Sequence, residues 1–146
     1  MEFWHEFFSN PILNRAMAVW WVSQGTKFTV SYIQAGTVNW ERFVGAGGMP
    51  SAHSAVVTCL LAGVIRYTGF ASPLTAITFI FAMIVMYDAT GVRHAAGKQA
   101  EVLNKIIEEF RLHKQVSEIP LKELLGHTPF EVLVGAALGI LFAMWP

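Results

Sequence analysis

Between Pro73 and Tyr87 the chain reads PLTAITFIFAMIVMY, a run without a single charge. Wound as a helix it has no polar face, and a helix that is apolar all round belongs in a protein interior or in a bilayer. Composition decides between the two. Charged residues make up 14% of the chain and apolar residues 54%, whereas an ordinary soluble domain is about 25% charged. Mean hydropathy is +0.47. The reading is an integral membrane protein.

Crossing a bilayer takes roughly 20 residues of helix, and three other segments approach that length. The first follows Asn10-Pro11, a helix-start signal, and runs to about residue 35. It carries Arg15, Ser23, Gln24 and Lys27, so part of it must face protein. The second runs from about Ser54 to Gly69, with Arg66 near its far end. The last begins at Thr128 and reaches Trp145, an interfacial anchor. Between the third and fourth spans, VRHAAGKQAEVLNKIIEEFRLHK sets Val92, Ala96, Leu103, Ile106 and Phe110 at helical spacing. Lys98, Glu101, Lys105, Glu108 and Arg111 lie around them, the pattern of an amphipathic helix at the membrane surface or over the end of the bundle. There is no internal repeat. The expected fold is all-α, one membrane-embedded domain over residues 1–146, with about four spans and an amphipathic helix at one face.

Charge excludes some functions and orients the rest. Ten basic and ten acidic residues balance, so there is no basic field for nucleic acid. The single cysteine, Cys59, lies in an apolar run and offers neither a disulfide nor a thiolate metal site. Glu2 and Glu6 stand where a secretory signal needs positive charge, so no cleaved signal is expected. Counting crossings puts GGMPSAHSA, Asp88, the amphipathic helix and His127 at one face. That face collects Arg42, Arg93, Lys98, Lys105, Arg111, Lys114 and Lys122, seven of the ten cations, and is therefore expected on the cytoplasmic side.

At that face two histidines open helices, His53 in PSAHS and His127 in GHTPFE. Helix starts leave N–H groups unpaired and carry partial positive charge, which attracts phosphate. Ser51 can cap its helix or donate its hydroxyl to a phosphate oxygen. His127 and Glu131 are four apart, so the carboxylate can fix the tautomer and leave the other ring nitrogen to attack. Thr128-x-x-Glu131 is equally a capping box, which needs no catalysis. Lys27 stands inside a span, where a charge is costly and usually functional. Arg93, Gly97 and Asn104 share a narrow helical strip, and Asp88 is placed to pair with a cation.

These residues resemble the type 2 phosphatidic acid phosphatase superfamily, which includes bacterial acid phosphatases and vanadium haloperoxidases. Its motifs are K-x6-R-P, P-S-G-H and S-R-x5-H-x3-D. The second stands here as Pro50-Ser51-Ala52-His53, and the end of the third as His127-x3-Glu131 followed by VLVGAALGI. The strings GGMPSAHSA, YDATGVRHAAGKQAEVLN and LGHTPFEVLVGAALGI are similar to a divergent bacterial and plant branch. The resemblance implies His127 as nucleophile through a phosphohistidine, Glu131 as its orienter and His53 as general acid. It implies Lys27, Arg42, Ser51, Arg93 and Lys98 as phosphate-holding groups, with Ala52 N–H and Asp88 in support. No metal or cofactor is implied, and vanadate is expected as a phosphate mimic. Three departures stand out: alanine at position 52, Lys27 and Arg42 fifteen positions apart with no proline after Arg42, and Leu121 where the third motif has its arginine.

The expected activity is metal-independent hydrolysis of a lipid phosphate or diphosphate, such as a phospholipid or isoprenyl phosphate, in a bacterial plasma membrane. The alternative is a non-catalytic membrane protein that keeps a phosphate-binding site, as a lipid binder or assembly partner. Vanadate-dependent peroxidase chemistry is the third reading. Four spans make a thin bundle, and the polar groups of the first give a reason for a homo-oligomer.

Overall fold

The computed structural model describes residues 2–36, 48–113 and 126–145, which are helical with no strand among them. Six helices follow in order: α1 (Glu2–Ser9), α2 (Pro11–Ala35), α3 (Ala52–Thr68), α4 (Pro73–Thr90), α5 (Val92–His113) and α6 (Pro129–Met144). Their starts are written locally. Asn10 Oδ1 accepts from Ile12 and Leu13 N–H at 3.0 and 3.1 Å, with Pro11 in the first position of α2. Ser51 caps α3, Ser72 caps α4 ahead of Pro73, and Thr128 caps α6 ahead of Pro129. A capping side chain satisfies amides that the first turn leaves without partners, and proline there lacks the N–H that would be orphaned.

α3 is the central helix and packs against α2, α4 and α6. Its contact with α6 depends on two glycines. A Cβ on Gly135 would collide with the Ser51 carbonyl, and one on Gly139 with the Ala55 carbonyl and the Thr58 hydroxyl. That closeness lets Thr58 Oγ1 donate to Ala136 O at 3.0 Å across the interface. Beneath it Val19, Ala55, Cys59 and Ala143 form a buried cluster.

α4 shows which solvent the bundle is built for. Its buried positions are the small residues Thr75, Ala82 and Ala89, seven apart, while Ile77, Ile80, Ile84 and Tyr87 are all more than half exposed. An apolar face of that extent marks contact with lipid or with another protein, and the scarcity of charge in the chain favours lipid. By length and composition the helix running from Pro73 meets the requirement for a span, and α3 and α6 are apolar but shorter. The expected membrane helical bundle is the observed one.

Two features add to the sequence reading. α1 is an additional short helix that exposes Trp4 and Phe8. In α5 the apolar stripe is turned outward: Val92, Leu103, Ile106 and Phe110 are exposed, while Gly97 and Ala100 are buried. Among the described residues α5 packs on α4 alone. The reason is the solvent, since beside a bilayer the apolar stripe gains most by facing lipid and the small residues can approach protein.

Candidate active site

The start of α3, the end of α4 and the start of α6 converge through backbone hydrogen bonds. Ser51 N–H donates to Glu131 O at 3.1 Å, and His127 N–H donates to Ala89 O at 2.9 Å. Gly126, with φ of 100°, turns the chain into His127 in a conformation that favours glycine. The histidine is thus fixed by its own main chain before its ring makes any contact.

The His127 ring is buried, with 1% of its side chain exposed. Its Nδ1 lies 3.3 Å from Glu131 Oε2. The same oxygen accepts Thr128 N–H at 3.0 Å, and Thr128 Oγ1 accepts Glu131 N–H at 3.3 Å, so the capping box is complete. One carboxylate thus completes the cap and also lies within reach of the His127 ring. A carboxylate acceptor puts the proton on Nδ1 and presents the lone pair of Nε2 to the site. His53, exposed on the first turn of α3, stands across from it, with ring centroids 6.1 Å apart at 62°.

Ser51 is fully buried, and its oxygen accepts from Ser54 N–H at 3.3 Å and Ser54 Oγ at 3.0 Å. With both lone pairs engaged, its own proton is the group left to donate. The sequence pattern assigns Ser54 no role, although PSAHSA shows a second serine one turn along. Ala52 is buried, and its N–H lies in the first turn, where a helix supplies no acceptor.

α2 contributes the interior of the site. Lys27 is buried, with 6% exposed, within electrostatic reach of the Glu131 carboxylate. One turn earlier, Ser23 and Gln24 are buried too, and Gln24 Oε1 has no hydrogen-bond partner among the described residues. Gln24 received no role from its sequence pattern beyond being polar inside a span.

The remaining candidates separate. Asp88 is half-buried at the end of α4, next to the Ala89 carbonyl that holds His127. Arg93 is the second residue of α5, its side chain outside the described set, and Arg42 lies outside the described residues altogether. Lys98 is exposed, in a shallow hollow with Gln99, Val102 and Leu103 rather than among the histidines. Two histidines at facing helix starts, a serine hydroxyl and a buried lysine can surround a tetrahedral anion, with one ring nitrogen turned toward it.

The model of the divergent PAP2 family matches residues 8–142. The chain belongs to that family. Its similarity extends to the Bacillus subtilis (strain 168) membrane protein YuiD, 41% identical over 145 residues, covering 92% of this chain and 91% of the relative. No solved structure matches. Membership in this branch agrees with the altered second motif, where Ala52 follows Ser51, and with the interrupted first and third motifs around Lys27 and His127. A membrane setting follows from the relative and from the exposed apolar face of α4 together.

Proposed function

We propose that this protein is a membrane lipid phosphatase that hydrolyses a phosphate monoester or diphosphate through a phosphohistidine at His127. The observation that carries the reading is the facing pair of rings, with Glu131 on one nitrogen of His127 and His53 6.1 Å away. The Nε2 lone pair of His127 attacks phosphorus, the bond to the lipid oxygen breaks, and that oxygen takes a proton from His53. His53 then takes a proton from water, whose oxygen attacks phosphorus and breaks the P–N bond, releasing phosphate and restoring the ring. Lys27 and the Ser51 hydroxyl offset the charge on the phosphoryl oxygens. Arg42, Arg93 and Lys98 are the further cations of this face. The substrate keeps its chains in the bilayer, and the site lies at the cytoplasmic surface of a bacterial plasma membrane.

The test is phosphate release from a panel of lipid phosphates by the purified protein, beside His127→Ala and His53→Ala, with vanadate as competitor. Release that both substitutions abolish and vanadate blocks is the expected result; equal release by either variant refutes the mechanism. A second reading, a phosphate binder without turnover, draws on the bond lengths at Glu131, whose shorter contact is to the Thr128 cap rather than to His127. Acid-labile phosphate on His127 after substrate is added separates the two, since a binder forms none.

A further inference from the structure

The bundle carries a second feature, away from the histidines. A groove of about 640 Å³ runs along the flank of α3 and α6, lined by Thr58, Leu61, Ile65, Arg66, Ile140 and Met144 among others. That volume is in the range of ligand pockets, about 300–1,000 Å³. Its walls, Phe70 included, are apolar except at Thr58 and Arg66. At the inner end the Thr58 hydroxyl is already engaged with the carbonyls of Ser54 and Ala136. The outer end is Arg66, in the last turn of α3, at the membrane surface opposite the histidines.

Arg66 is held by one edge only. Its Nη1 donates to Ala143 O at 3.0 Å and Trp145 O at 3.2 Å, the carbonyls at the end of α6. Arginine has five N–H donors. Those on Nε and Nη2 meet no protein acceptor among the described residues, although the guanidinium is fixed in place. A fixed guanidinium with a vacant fork matches two oxygens of a phosphate. Arg15, which donates to the same Ala143 carbonyl at 3.0 Å, adds to the positive field there. From Arg66 back to Thr58 is about 12 Å of helix, close to the depth of hydrocarbon in one leaflet, about 15 Å.

We infer that this groove is a binding site for an anionic phospholipid of the leaflet opposite the histidines. The lipid phosphate sits on Nε and Nη2 of Arg66, and one acyl chain lies between α3 and α6 as far as Thr58. The occupant is a lipid because the groove is open on its flank to the bilayer and ends in a cation at the headgroup level.

Native mass spectrometry and thermal melting of the full chain in detergent test it, with phosphatidylglycerol, phosphatidylcholine, diacylglycerol or soluble glycerol 3-phosphate added. One phosphatidylglycerol should be retained and should raise the melting temperature more than the other three. Ile140→Trp and Leu61→Trp fill the groove from its two walls and should each abolish that retention while helicity is kept. Arg66→Lys keeps the charge but loses the fork, and should weaken phosphatidylglycerol binding on the order of tenfold. Equal retention of diacylglycerol, stabilisation by glycerol 3-phosphate that the tryptophan variants abolish, or retention unchanged in both tryptophan variants would overturn the assignment. So would a disulfide-linked dimer formed through Ile140→Cys in native membranes, because a second copy would then occupy the groove.

Discussion

Replacing Gly135 by alanine tests whether the close approach of α6 to α3 builds both the bundle and the site. The added Cβ would run into the Ser51 carbonyl oxygen, with Ser51 C at 3.1 Å and Ser51 Cβ at 3.2 Å as the next neighbours. The obstacle is backbone, so no side-chain rotation relieves it. Restoring ordinary contact at 3.4 Å or more requires the helices to part by about 1 Å, and overpacking of this kind costs about 1–3 kcal/mol. Parting also stretches the 3.1 Å bond from Ser51 N–H to Glu131 O, worth a net of about 0.5–1.5 kcal/mol. Together the loss comes to about 2–4 kcal/mol. Gly25 in α2 is the control, because a Cβ there meets nothing within 4 Å. Gly25→Ala should gain up to about 1 kcal/mol from helix propensity. Cys59, 1% exposed and packed in the buried cluster, provides the assay, since its thiol reacts with a maleimide only when the bundle opens. In nanodiscs Gly135→Ala should speed labelling about thirty- to several-hundredfold, and Gly25→Ala should leave it unchanged or slow it. Labelling of Gly135→Ala at the wild-type rate would refute the steric argument. So would Gly25→Ala labelling as fast as Gly135→Ala.

Two other substitutions separate structure from chemistry. Glutamine also completes a capping box, so Glu131→Gln should melt within about 0.5 kcal/mol of wild type while phosphate release falls about ten- to a hundredfold, through the lost charge on His127 Nδ1. Glu131→Ala should lose both stability and turnover, and a stable, active Glu131→Ala would remove Glu131 from the site. Thr58→Val deletes a hydroxyl that bonds Ser54 O at 2.7 Å and Ala136 O at 3.0 Å. Interhelical bonds of this kind in membranes average about 0.6 kcal/mol, so Cys59 labelling should accelerate about threefold. A change beyond a hundredfold would mean that the hydroxyl does more than join two helices.

How far the sequence reaches can be traced residue by residue. Asn10-Pro11, Ser51 and Thr128-Pro129 fix where three helices begin because capping is a local interaction. Alternating the direction of the spans then brings His53 and His127 to one face without any knowledge of packing. The pairing of α3 with α6 was less accessible: GAALG shows small residues, but only the fold reveals that Ser51 and Ala55 lie against them. For α5 the sequence leaves two placements open, the membrane surface and the end of the bundle. Periodicity identifies an apolar face but not which solvent it meets, and beside lipid the usual inference from apolar to buried reverses. Lys98 illustrates the same limit, since its charge counts toward the basic face while its position on α5 takes it away from the histidines. Arg15 and Arg66 are far apart in sequence from their common acceptor, the Ala143 carbonyl, 128 residues from one and 77 from the other.

That shared acceptor explains how a lysine can stand inside the first span. Arg15 on α2 and Arg66 on α3 both bind the end of α6, so the three helices are pinned together at the far surface. From that pin, twelve residues up α2 reach Lys27, twelve back along α3 reach Ser54, and twelve back along α6 reach Glu131. At 1.5 Å per residue each path rises about 18 Å, which brings the three to one level. α3 and α6, with 17 and 16 residues, then rise only about 25 Å against a hydrocarbon core of about 30 Å. They begin short of the near surface, and the histidines at their starts lie in a depression rather than on a plateau. α2, at 25 residues, continues for about 12 Å past Lys27 and forms the wall of that depression. The ammonium group is therefore held opposite the Glu131 carboxylate and not against lipid, and its register depends on guanidinium contacts at the other end of the bundle.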